Sequence, residues 1–467
     1  MDFRTRSIVD LAKDVQSRQI SAKELTTAAL ANIDRLDGEL NSFCAVDAER
    51  ALRDAQAVDA AIAAGKILPL AGIPIGVKDL EDAQGFVTTY GSDLHTADGV
   101  ATSDSEVVAR LKAAGAIVLG KTNTPEFGHK GKTDNIPFGA TKNPWNLAYS
   151  PGGSSGGTAA AIAAGIIPLG TGSDGGGSIR MPAAICGLSG IKTSQGRIPN
   201  GGLNPPGSGL MAVKGPMARS TLDTAYALDY TVGDCASDIF ALPDKTESWY
   251  QSINEGCALP DKVVWSPSMG FANVDNEIKR ACEEAVAKLE AAGVTVIEND
   301  NVWSKDPVRD WMVFWSCARA RAQQHLRGTP QWQQIDPVLR SMIELGSTKV
   351  DGPAYALAID ACHRMNLELE TAFEAAPLIL TPATCGLSPS LADDGIINGV
   401  KTPAWAGFTM GINMTRNPAG VVPIGKNSAG IPIALQIIGR QRADLSVLRA
   451  MHAMEQVFEF TELADFG

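Results

Sequence analysis

Apolar and polar positions along this chain follow two periods. Ser21-Ala-Lys-Glu24 has the spacing of a capping box, and behind it Leu25, Ala28, Ala29, Ile33 and Leu36 recur on one face of a helix running to about Leu40. Ser103-Asp-Ser-Glu106 repeats that opening and predicts a helix that ends at Gly115, followed at once by an apolar strand at 116–119. A third stripe, Ile278, Cys282, Ala285, Leu289 and Ala292, stops at Gly293 before a strand at 294–297. Both places read as helix, glycine cap, strand. Apolar runs at 73–77, 166–169, 263–265, 378–380 and 431–438 predict further strands.

Strands alternating with helices over the whole length predict an α/β protein: a central twisted mixed β-sheet covered by helices on both faces. No low-complexity linker interrupts it. Residues 1–467 are therefore expected to form one large domain, with about 235–375 as a helix-rich variable insertion.

Composition narrows the function classes. A formal charge of −12 argues against nonspecific binding to nucleic acid or to an anionic membrane. The longest nearly apolar stretch, 159–169, is broken by Gly165 and Pro168 and falls short of the ~18 residues of a membrane helix. The N-terminus has no apolar signal-peptide core, so a cytoplasmic setting is expected. Eight scattered cysteines without CxxC spacing predict no structural metal. Glycine is the anomaly, because 17 of the 47 glycines fall within residues 151–210.

Three readings of that window compete. Gly170, Gly172 and Gly175 satisfy G-x-G-x-x-G, but Pro182 and Gly187 cut the following segment short and Gln195 stands where a dinucleotide site needs an acid. Glycines that merely permit turns and close packing account for the alanine-rich run near 158–164. They do not account for the hydroxyls inside each cluster, Ser154 and Ser155 between glycine pairs and Ser178 after three glycines. The third reading is a nucleophile beside bare backbone amides: Gly175, Gly176 and Gly177 would turn N–H groups toward a developing oxyanion next to Ser178.

A serine nucleophile needs a base. None of the five histidines, His95, His129, His325, His363 and His452, sits in a catalytic context. Lys78 closes the apolar run 73–77, and burial there would lower its pKa until the neutral amine accepts a proton near pH 7.

Gly-Gly-Ser154-Ser155-Gly-Gly, the 24-residue step to Gly176-Gly177-Ser178-Ile179-Arg180, and the upstream Gly-Ile-Pro-Ile-Gly-Val-Lys78-Asp79 together resemble the amidase signature family. Segments around Glu126, Trp145, Lys192, Pro423 and Gly439 resemble it too, whereas about 235–375 matches poorly. The resemblance implies the amidase signature fold and a Ser-cisSer-Lys triad. Ser178 is then the nucleophile, Ser154 the bridging serine after a cis peptide, and Lys78 the base. Backbone N–H groups of Gly175, Gly176 and Gly177 would form the oxyanion hole, with Ser155, Asp174 and Arg180 in support. Glycine at position 175 departs from the family, which usually carries a side chain there.

The implied activity is hydrolysis of carboxylic amides, with anilides, esters and carbamates sharing the chemistry and neither metal nor cofactor required. Two other classes are weighed against it: the amidase component of a tRNA-dependent amidotransferase working with partner subunits, and a non-catalytic binding protein. A small amide-type substrate is expected, with no direct nucleic-acid or membrane partner, in a monomer or homodimer. Phe127, Trp145, Ile179, Met211 and Trp405 are the candidate pocket residues. No basic cluster is evident beside the site, which favours an apolar or aromatic acyl group.

Overall fold

Ser21 caps helix Ala22–Leu40 as expected, its hydroxyl accepting the Glu24 N–H at 3.1 Å while the Glu24 carboxylate accepts the Ser21 N–H at 2.7 Å. The second capping box does not form. That helix starts at Glu106 with no side-chain cap, and Asp104 is instead held by Lys112 at 2.6 Å and the Gln84 N–H at 2.7 Å. The 166–169 run also shifts. Ile166 N–H still bonds the Ala161 carbonyl at 2.9 Å to close helix Gly156–Ala163, and Pro168 has no N–H, so the strand runs from Leu169 to Asp174. The computed structural model describes residues 1–201 and 211–466, and the end of the glycine window, 202–210, lies outside them.

Apart from two two-stranded ribbons, Asp134–Asn135 with Gly139–Ala140 and Ile396–Ile397 with Val400–Lys401, the described strands group into two mixed sheets rather than one hydrogen-bonded sheet. The first has the order Phe43–Val46, Ile117–Thr122, Pro74–Lys78, Leu169–Asp174 and Val213–Ala218, with parallel pairs at its centre and antiparallel edges. The second has the order Thr295–Glu298, Lys262–Trp265, Leu378–Pro382, Pro432–Gly439, Ala419–Lys426 and Gly190–Lys192. The sheets meet edge to edge, where a Cβ at Gly215 would lie 3.7 Å from the Ile191 carbonyl. Of these strands, Phe43–Val46, Gly190–Lys192, Val213–Ala218 and Ala419–Lys426 escaped the periodicity reading. Gly190 and Gly215 bring no side chain to such a pattern.

Segment 235–375 contributes five α-helices and also the strands Lys262–Trp265 and Thr295–Glu298 of the larger sheet. One buried apolar cluster runs through both sheets and their helices, from Phe3 to Phe458. A second, around Trp303, Trp311, Trp315, Met365 and Phe408, joins helices Val308–Gln323 and Gly352–Ala372 to helix Gly407–Thr415. Among the described residues no helix is long and apolar enough to cross a membrane.

Strands Pro74–Lys78 and Leu169–Asp174 are parallel neighbours, with Ile75 opposite Leu169 and Gly76 opposite Gly170. Their carboxyl ends therefore open on the same side, the position where α/β sheets take ligands.

Candidate active site

Lys78 ends its strand fully buried. Its Nζ lies 2.8 Å from Ser154 Oγ, 2.9 Å from Ser155 Oγ and 2.9 Å from Ser173 Oγ. The carboxylates that act on its charge are engaged elsewhere, Glu81 with Lys214 at 2.5 Å and Asp174 with Arg180 at 2.9 Å. Burial disfavours the ammonium and, against the opposing pull of Glu81 and Asp174, lowers Lys78 to about 7. Ser173 was missed in the sequence. Thr171 and Ser173 share one face of the strand by its period of two, and Thr171 Oγ1 accepts the Lys78 N–H at 2.8 Å.

The Gly153–Ser154 peptide is cis. Ser178 sits half-buried at the end of the neighbouring loop, its carbonyl accepting the Ser155 N–H at 3.3 Å. Its hydroxyl makes no hydrogen bond to a described residue and lines a large cavity.

Asp174 and Arg180 are both fully buried and paired at 2.9 Å. Burial pushes the Asp174 carboxyl up, but the Arg180 charge and hydrogen bonds outweigh it and hold the group far below the usual carboxylate range. The same carboxylate accepts the N–H of Gly177 at 2.7 Å and those of Ile179 and Arg180 at 3.3 Å. This corrects one expectation, because the Gly177 N–H is committed to Asp174 and is not open toward the cavity. The N–H groups of Gly175, Gly176 and Ser178 donate to no described residue.

Carbonyls of that loop are held from the other side. Asn413 Nδ2 donates to Asp174 O at 2.8 Å, Trp311 Nε1 to Gly175 O at 2.9 Å and Thr409 Oγ1 to Gly176 O at 2.6 Å. Glycine at position 175 also has a physical reason. A Cβ there would lie 2.8 Å from Trp315 Cζ3, so the indole occupies the room a side chain would need.

The cavity holds about 1150 Å³ and is walled by Met181, Phe271, Trp311, Met312, Trp315, Trp405 and Met410 around Gly176 and Ser178. Of the expected pocket residues, only Trp405 lines it. Phe127 stacks on Tyr90 with centroids 5.7 Å apart, and Trp145 packs on Phe460 while its Nε1 donates to Cys186 O at 2.9 Å. Ile179 is fully buried against Gly172, Gly190 and Gly215, and Met211 belongs to the second core cluster. Basic residues do reach the wall, contrary to the sequence reading. Lys130 is paired with Asp134 and with Asp336 at 2.9 Å, and Lys132 with Asp134 at 3.2 Å, so neither offers an unopposed charge. His129, also on the wall, is fixed between the Glu126 carbonyl at 2.7 Å and Asp336 at 3.3 Å.

A buried amine among hydroxyls, next to a serine on a glycine loop, is the equipment of an amide-cleaving hydrolase. Residues 24–448 match the Amidase family model, and the chain belongs to the amidase signature family. It is similar to an acylamidase of Rhodococcus erythropolis, 34% identical over 461 residues that cover 97% of this chain and 95% of the relative. A glutamyl-tRNA(Gln) amidotransferase subunit of Acinetobacter baumannii is 31% identical over 479 residues, covering 97% and 96%. A solved bacterial aryl acylamidase of the amidase signature family shares the fold at a TM-score of 0.89 and 28% identity, over 98% of each chain. The α/β fold and the activity class, an amidase, agree with the expectation from sequence.

Proposed function

We propose that residues 1–467 act as one amidase domain that hydrolyses amides with apolar or aromatic substituents, anilides among them, through an acyl-enzyme on Ser178. The observation that carries the reading is the Lys78 amine, lowered to about 7 and 2.8 Å from Ser154. Neutral Lys78 takes the Ser154 proton as Ser154 takes that of Ser178, and the Ser178 oxygen attacks the amide carbon. The N–H groups of Gly175 and Gly176 receive the oxyanion, joined by that of Ser178 in place of Gly177. Collapse of the tetrahedral adduct returns a proton through Ser154 to the leaving nitrogen, and the amine departs. Water then repeats the cycle on the ester and frees the acid. The Ser178–Ser154 hydrogen bond is the one contact of this relay that the structure does not contain, and such contacts commonly tighten when substrate binds.

Apolar walls and the pairing of Lys130 and Lys132 with carboxylates favour a neutral substrate over an anionic one. Similarity to an acylamidase and to an aryl acylamidase supports the same choice. The test is a panel of aliphatic amides, anilides, dipeptide amides, esters and carbamates, run on wild type and on Ser178→Ala. Anilides are expected to give the highest kcat/KM, and Ser178→Ala to lose about 10⁴-fold or more. Near-normal turnover in that variant would sink the nucleophile assignment, and preference for a charged substrate would sink the substrate class.

A second reading rests on the 31% identity to the amidotransferase component. On that reading the chain releases ammonia to a partner, and the purified chain alone shows no hydrolysis of anilides.

A further inference from the structure

In a planar trans peptide the carbonyl of one residue and the N–H of the next point in opposite directions. Holding the Gly175 carbonyl therefore fixes where the Gly176 N–H points. The Trp311 indole N–H, 2.9 Å from Gly175 O, does that holding, and Gly176 lines the cavity beside Ser178. Asn413 holds the preceding carbonyl but also donates to the Asp174 carboxylate at 3.0 Å and to Met211 O at 3.0 Å, so its duties are spread through the core. Thr409 holds the following carbonyl, whose paired N–H, that of Gly177, is already on Asp174.

The Trp311 N–H, by contrast, has the Gly175 carbonyl as its partner. Trp311 projects from helix Val308–Gln323 and is buried. Its ring stacks on Trp315 with centroids 5.1 Å apart and planes 17° from parallel. Both indoles bear on the loop: a Cβ at Gly176 would lie 2.7 Å from Trp311 Cζ2, as one at Gly175 would lie 2.8 Å from Trp315. Donor, ring and bare glycine fit only as a set.

We propose that Trp311 is a positioning residue for catalysis: its indole N–H fixes the Gly175–Gly176 peptide so that the Gly176 N–H meets the oxyanion formed on attack by Ser178. This assignment rests on the nucleophile and oxyanion roles proposed above. It makes a residue of a helix far along the chain responsible for transition-state stabilisation, beyond shaping a pocket wall.

Trp311→Phe keeps a buried ring and removes the donor. With folding verified by a thermal melt, kcat on an anilide is expected to fall about 10- to 100-fold with KM within about twofold. Affinity for an arylboronic acid, which adds to a serine oxygen as a tetrahedral anion, is expected to fall by the same factor as kcat/KM. Trp311→His restores a ring N–H and is expected to recover part of kcat at pH 8. Unchanged kcat, a rise in KM alone, or equal losses in the Phe and His variants would overturn the proposal while leaving the triad intact. Near-normal turnover in Ser178→Ala, measured alongside, would instead sink the triad and this inference with it.

Discussion

The glycine loop that carries Ser178 is flanked by two regions built on different principles. On the side of Lys78, the polar groups come from two parallel strands and from the turn that opens helix Gly156–Ala163: Lys78, Ser173 and Asp174 lie at one sheet end, and Ser154 and Ser155 reach the amine from the start of that helix. On the opposite side, Trp311, Trp315, Thr409 and Asn413 reach the glycine loop from 130 or more positions further along the chain. The first side is specified by short motifs whose backbone geometry brings the reacting groups together. The second is specified by helix packing, and it decides which way the loop's peptides face. On the mechanism proposed above, proton transfer rests on the first region, whereas carbonyl polarisation rests on both, the glycine loop supplying the N–H groups and the helices holding its carbonyls.

Removing Lys78 is the largest test of that division. Lys78→Ala is expected to lower kcat/KM by about 10³- to 10⁴-fold, the scale of a lost general base, while arylboronate affinity falls far less. In the wild type, a neutral Lys78 acting as base as proposed predicts that kcat/KM rises about tenfold per pH unit below about 7 and levels off above it. Stability carries the same signature with a definite sign. The folded-state pKa of about 7 lies below the ordinary lysine value of 10.5, so between those values the unfolded chain binds more protons and stability rises with pH. Lys78→Met should flatten that rise in denaturant melts. If the wild-type rate were flat from pH 5 to 9, the amine would not be the base and the first side of the comparison would lose its defining group.

Gly175→Ala is a smaller and sharper probe, because it strikes the seam between the two sides. The added methyl would come 2.8 Å from Trp315 Cζ3 and 3.2 Å from Cη2, so one of them must move. Overpacking of this kind costs about 1–3 kcal/mol, and a loop displaced from its carbonyl site should lose about tenfold in kcat. Trp315→Leu in the same chain should return part of both losses, giving a coupling of about 1–2 kcal/mol in a double-mutant cycle. Strict additivity would mean that Trp315 and Gly175 are not matched to one another.

How much could be read beforehand follows the same line. Lys78, Ser154, Ser155 and Ser178 stood out because hydroxyls inside glycine clusters, and a lysine closing an apolar run, are local patterns. The helix stripes ending at Gly115 and Gly293 were legible for the same reason, and both glycines adopt positive φ, 106° and 97°. Trp311 and Trp315 gave no such signal. They lie on an ordinary helical face, and nothing within their own helix indicates that the partner is a glycine carbonyl 136 residues away. Gly177 shows the opposite error. Its place in the triple glycine suggested an open N–H, but Asp174, three residues back, closes a tight turn on it at 2.7 Å. Strand Val213–Ala218 was hidden because Gly215 and Pro216 break the apolar alternation, although Pro216 lies opposite Thr171 on an edge strand where its missing N–H is tolerated.

The pocket residues give the finest test, because the two sides predict different answers for two aromatic rings. Trp405 lies on the cavity wall, and a Cβ at Gly131 would come within 3.1 Å of its ring, so it closes the cavity against the loop at Gly131. Phe127 precedes that loop and is the nearer of the two to family motifs, yet its ring is stacked with Tyr90 and set edge-on to His95 at 5.6 Å, away from the cavity. Trp405→Ala should therefore raise KM for an anilide about five- to tenfold, corresponding to about 1–1.4 kcal/mol of lost apolar contact, with kcat little changed. Phe127→Leu should leave KM within twofold and lower the melting temperature instead, since what it removes is packing against Tyr90 and the cluster of Ile335, Leu339 and Ile343. A KM effect from Phe127 equal to that of Trp405 would move the substrate to the motif-rich side and erase the distinction between the walls.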